Sequence, residues 1–274
     1  MPNERRVARK VTALPTSDGA GVNLKRSIGI PALDHLDPFL LLDNIESDAA
    51  EDYIAGFPEH PHRGFETVTY MVEGRMHHRD SMGSEGLLSS GGAQWMTAGR
   101  GVIHSEMPEQ EEGRLHGFQL WVNLPAVRKM VPARYQDIQP NAIPEIESSY
   151  GNVRVIAGEY SGVKGPINGI HVNPLFMDVA VKGGAIPTIF VPAKHTAFIY
   201  VFSGEVAVAG HAVNSDTLAI LGEGEAINLS GDGRTLVVAG APIRESIARH
   251  GPIVMNTEQE LRQAFKDFRS GNFV

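Results

Sequence analysis

The sequence predicts an all-β protein in which one barrel is built twice, with a short C-terminal helix. Three observations carry this. Short runs rich in β-branched and aromatic residues recur along the 274 residues. They are punctuated by 30 glycines and 17 prolines, the residues that turn a chain between strands. Blocks in the first half reappear, in apolar pattern and glycine position, in the second.

Taken in chain order, Arg5, Arg6, Arg9 and Lys10 form a basic cluster that reads as a solvated arm. The opening stretch has charge but no apolar core of the kind a secretory signal needs. The strands follow: "FETVTYMV" (65–72), "HGFQLWVNL" (116–124), "NVRVIAGEY" (152–160), "FMDVAV" (176–181), "AFIYVFSGEVAVAG" (197–210) and "TLVVAG" (235–240). Scattered prolines between Pro125 and Pro144 mark a linker. The expected division is residues 1–135, a metal-binding barrel, and 136–274, a degenerate barrel without ligands. Near the end, Thr257 stands three places before Glu260, the spacing of a capping box. Leu261, Ala264, Phe265 and Phe268 then fall on one helical face, and Gly271 is a natural stop.

Composition narrows the chemistry. There is no cysteine, so disulfides, thiolate metal sites and thiol catalysis are excluded. The net charge of −8 does not favour direct nucleic-acid binding and suits a basic protein partner better. No apolar run approaches the ~20 residues of a membrane-spanning helix. The expectation is a soluble, cytoplasmic protein.

The chemistry-bearing residues cluster in the first half. In "HPHRGFETV" (60–68), His60 and His62 are two apart and share one side of a strand. In "GVIHSE" (101–106), His104 and Glu106 have the same spacing. Two such pairs on adjacent strands converge on one ion. The nitrogen and oxygen donors suit Fe(II), Mn, Ni, Cu or Zn better than calcium or magnesium. Glu66 has the same parity as the first pair on a regular strand, so spacing alone does not choose between Glu66 and Glu106 as the carboxylate. The second half lacks the whole set. With Tyr70 laid over Tyr200, His60 falls on Phe190, His62 on Pro192 and Glu66 on Thr196. With Gly101 over Gly224, His104 falls on Ile227 and Glu106 on Leu229. Other polar residues read as structural. His77 and His78 are expected at a solvated hairpin turn, His116 in the core, Arg63 in an ion pair, and Trp95 and Met96 in apolar packing.

The motifs "DPFLLLDN", "GFPEHPHRGFETVTYMVEG", "QWMTAGRGVIHSEMP", "GFQLWVNLP" and "PIVMNTEQELRQAFKDFRSGNF" resemble those of the pirin family of bicupins, in the same order. The resemblance runs from about residue 26 onward. It implies two tandem cupin barrels, with iron held in the first by His60, His62, His104 and Glu106, and it favours Glu106 over Glu66. It further implies a quercetin 2,3-dioxygenase-like activity on flavonols with dioxygen, in which Glu106 both ligates and takes the substrate's proton. Other members of the family are transcriptional cofactors or bind metabolic enzymes. The resemblance therefore also implies an alternative: a non-enzymatic iron-binding regulator that contacts such proteins according to redox state.

Overall fold

The computed structural model describes residues 2–110 and 112–274. The chain forms two compact units. One comprises 15–29, 34–140 and 243–274; the other comprises 1–14, 30–33 and 141–242. The expected boundary at 135/136 thus falls just short of the main break at 140/141, and the two ends of the chain are exchanged between units. The proline-rich stretch is more than a linker, because it contains the strand Arg134–Ile138.

The unit holding residues 34–140 has a seven-stranded antiparallel sheet. Edge to edge its strands are Arg134–Ile138, Ala93–Thr97, Phe65–Glu73, Leu115–Asn123, Phe39–Ser47, Val22–Ile28 and Leu14–Asp18. A four-stranded sheet accompanies it: Phe57–His62, Val102–Pro108, Arg75–Asp80 and Glu85–Ser89. The helix Glu258–Arg269 belongs to this unit and starts on the expected capping box. Thr257 Oγ1 accepts from the Glu260 amide at 3.2 Å, and Glu260 Oε2 accepts from the Thr257 amide at 2.9 Å. Leu261 and Ala264 pack with Ile253, Met255 and Phe273. Phe268, expected on the same apolar face, is instead 40% exposed.

The unit holding residues 141–242 repeats the plan. Its path runs Val7–Thr12, Thr217–Leu221, Thr196–Val208, Leu229–Gly240, Leu175–Ala185, Gly151–Ala157 and Glu145–Ser148. Tyr70 stands opposite Phe118 and Tyr200 opposite Leu236 on corresponding strand pairs. The basic N-terminal segment is not a free arm. Val7–Thr12 is the edge strand of this unit's sheet, and Arg5 is only 1% exposed. Its guanidinium donates to the carbonyls of Gly222, Pro192, Ala193 and His195, which answer a charge that burial alone would penalise. Among the described residues no helix is long and apolar enough to cross a membrane.

Candidate metal centre

His60 and His62 lie on Phe57–His62, and His104 lies on the neighbouring strand Val102–Pro108, directly opposite His60. The chain then turns sharply at Gly64, which adopts φ +86°. A Cβ there would lie 1.9 Å from the Val254 carbonyl oxygen, so only glycine fits. Two side chains, Lys129 and Arg63, fix this turn. Lys129 Nζ donates to the carbonyls of Gly64 and Val254 and to Asn123 Oδ1, at 2.7, 3.1 and 2.7 Å. Arg63 donates to Asp267 at 2.6 Å and to the Phe273 carbonyl at 2.9 Å, so its expected ion pair is present.

The three imidazoles meet through Nε2. His60 Nε2 lies 2.9 Å from His62 Nε2 and 3.0 Å from His104 Nε2. His60 Nδ1 is 2.8 Å from the Pro58 carbonyl and donates to it, which leaves a lone pair on Nε2. His62 and His104 are 1% and 0% exposed, and both titrate well below the usual imidazole value. Burial is the first cause for each. Repulsion follows, from His60 on His62 and from His62 on His104. Both rings are therefore neutral near pH 7, as metal ligands must be. The spacing also fits an ion. Nitrogens about 2.1 Å from a metal, at right angles to one another, lie about 3.0 Å apart.

Glu106 projects to the same side of its strand as His104 and is 2% exposed. Its ligand atoms stand outside the three-histidine cluster. Oε1 accepts from Thr69 Oγ1 at 2.8 Å and Oε2 from Gln119 Nε2 at 2.7 Å. Gln119 is itself held by the Trp121 indole N–H at 3.3 Å.

Glu66 is elsewhere, and the reason corrects the parity expectation. Phe57–His62 and Phe65–Glu73 are separate strands broken at Gly64, so alternation does not carry across. Thr69 and Phe65 face Glu106 and His62. Even-numbered Glu66 therefore faces the opposite side of the strand, where Thr97 donates to it at 2.6 Å. Burial there raises its carboxyl to about 7.

His78 is the second correction. Only His77 belongs to the surface, where it meets Glu85 at 2.8 Å. His78 is 3% exposed, and its Nδ1 lies 3.4 Å from His104 Nδ1, on the side of that ring away from the cluster. The alternation Met76, His78, Asp80 carried the signal, since these three are the buried residues of their strand. His116 is buried beside Phe118, as expected of a core histidine. Trp95 and Met96 are buried, 1% and 0% exposed.

A cavity of about 480 Å³ opens over His60 and His62. Phe57, Pro58, Leu41, Trp121 and Pro252 give it apolar walls, and Arg26 and Arg249 add charge. Sequence reading missed Lys129, Gln119 and Arg249. Gln119 lies within the motif "GFQLWVNLP", Lys129 and Arg249 lie outside any motif, and each acts through contacts formed only in the folded chain.

Comparison with known proteins agrees with this architecture. The family model described as Pirin matches residues 21–122, and the one described as the Pirin C-terminal cupin domain matches 176–274. A "Pirin-like protein" of Caulobacter vibrioides is 48% identical, over 98% of this chain and 99% of that protein. Human "Pirin" is 40% identical over 98% of this chain and 94% of its own length. A crystal structure of a quercetin 2,3-dioxygenase from Acinetobacter baumannii superimposes with a TM-score of 0.90 at 36% identity, covering 98% of each chain.

Proposed function

The chain belongs to the pirin family, and from that premise we propose that it is an iron(II)-dependent dioxygenase of flavonols such as quercetin. The observation that carries this reading is the convergence of three histidine Nε2 atoms, with His60 Nε2 2.9 and 3.0 Å from the other two, at an apolar-walled cavity. The similarity to a protein called quercetin 2,3-dioxygenase supports the choice of reaction. His60, His62, His104 and Glu106 hold the ion. Bound iron supplies Lewis acidity and redox access to dioxygen. Mn, Ni, Cu and Zn suit the same donors, and supply in the cell decides among them.

The chain's own residues do the rest. Phe57, Leu41 and Trp121 present apolar surface to a flat substrate and displace water around it. Thr69 and Gln119 hold the Glu106 carboxylate in a fixed orientation. A carboxylate has about four lone-pair positions, so two donors leave about two, one for the ion and one for a proton. Glu106 takes the proton of the flavonol 3-hydroxyl on that last position. Dioxygen then cleaves the central ring, with loss of carbon monoxide. A cytoplasmic location belongs to the same reading.

Iron-loaded protein is incubated with quercetin with and without oxygen while flavonol absorbance is followed. Oxygen-dependent loss is expected. No loss in fully loaded protein would defeat the dioxygenase and turn attention to the redox-dependent regulator, testable by pull-down with reduced and oxidised forms.

A further inference from the structure

Two guanidinium groups line the cavity over His60 and His62, and their surroundings differ. Arg26 is paired with two carboxylates. Its Nε and Nη2 donate to the two oxygens of Asp43, each at 2.7 Å, and Nη2 also reaches Asp18 at 2.6 Å. The acids are answered in turn, since the other oxygen of Asp18 accepts from the Gly19 amide at 2.8 Å. Glu59, the remaining acid of the wall, is solvent-exposed.

Arg249, on the strand Ala248–His250, is held differently. Nη1 donates to the Leu40 carbonyl at 3.0 Å and Nε to the Gly251 carbonyl at 3.3 Å. Cζ lies 4.9 Å from the centroid of the Trp121 ring. Among the described residues no carboxylate forms an ion pair with it. A guanidinium has more N–H donors than two carbonyls use. Burial bears first against its charge and the nearby Arg26 second, and together they outweigh the attraction of Asp34, Asp43 and Asp18, which lowers its pKa from the ordinary guanidinium value. Trp121 links it to the metal centre, because the indole also packs edge-on to His62 with centroids 5.3 Å apart.

We propose that Arg249 sets the substrate specificity of this cavity, selecting flat aromatic molecules that carry an acidic group, a carboxylate or an ionised phenol, on the part remote from the metal. The acidic group takes the spare N–H donors of Arg249, and the ring lies along Trp121. The inference rests on the flavonol reading for the placement of substrate in this cavity.

The test measures binding rather than turnover. Protein loaded with nickel(II) is titrated without oxygen with 3-hydroxyflavone and with its 4′- and 7-carboxylates. At least one carboxylate binds about tenfold more tightly than the parent. That preference shrinks as salt is raised. In Arg249→Gln the ratio falls to about one, and Arg249→Lys, which keeps the charge, restores part of it. Metal content and the melting transition of each variant establish that it is folded. The wild-type ratio alone is decisive should a variant fail to fold. If the parent flavone binds and neither carboxylate is preferred, the inference is wrong and the flavonol reading stands. If no compound binds, both fall.

Discussion

The two barrels share a strand order, and they fill their interiors in opposite ways. In the first, His60 faces His104 across a strand pair, with Glu106, Thr69 and Gln119 nearby. In the second, the corresponding short pair sets Ile189 opposite Ile227, one residue from the overlay that put Phe190 in the place of His60. Both isoleucines are 0% exposed and join a core that includes Val155, Ile199, Val206, Leu229 and Val237. An isoleucine buried there contributes about 1.5–3 kcal/mol. An imidazole in the same place opposes folding unless something pairs with it. The sheets thus carry the fold in both units. The first unit holds a polar cluster whose geometry suits an ion, and the second converts the equivalent space into stability.

The sharpest way to break this contrast is His104→Ala, which is expected to remove essentially all bound metal, as elemental analysis would show, while the apolar barrel stays folded. Ile227→Ala, in the other barrel, is expected to do the reverse. It costs about 2–5 kcal/mol in denaturant unfolding, with metal per folded molecule unchanged. A third test uses Glu66, whose counterpart in the overlay of the two halves is Thr196. Its folded carboxyl titrates near 7, above the reference value of 4.5, so the folded chain keeps a proton that the unfolded chain releases. Stability is expected to fall as pH rises from about 4.5 through 7 and then to level off. The drop is at most about 3.5 kcal/mol, since a tenfold change in proton affinity is worth about 1.4 kcal/mol. Glu66→Gln should flatten that slope in pH-dependent melting; an unchanged slope would remove Glu66 as its source. The smallest effect is expected from His78→Ala. Loss of the partner at His104 Nδ1 should weaken metal affinity about 10–100-fold, measured by competition with a chelator. An unchanged affinity would mean that the ring is oriented by its barrel alone.

What was legible in the sequence was local. Phe65–Glu73 and Leu115–Asn123 could be read from side-chain type, and the helix from its cap and stripe. His60, His62 and His104 meet as their spacing implied. What was not legible depends on breaks and long closures. Alternation along the chain holds only while a strand is continuous, and Gly64 ends it between His62 and Glu66. His78 was missed because the turn was expected a few residues too early; it sits inside the strand Arg75–Asp80. Arg5 and Lys129 look like surface charges until backbone carbonyls from remote segments enclose them. Likewise the edge slot that Arg134–Ile138 fills in one unit is filled in the other by Val7–Thr12, which lies far away in sequence.

The fastening of the Gly64 turn has a consequence for how the protein is made. Arg63 and Lys129 secure that turn through Val254, Asp267 and Phe273. These anchors leave the ribosome long after the histidines they steady. A nascent chain already carrying all three imidazoles would still lack the clasp that orders them. Ordering of the three imidazoles is therefore an event of the finished polypeptide, and translation stalled before residue 254 would yield a barrel with those histidines untethered.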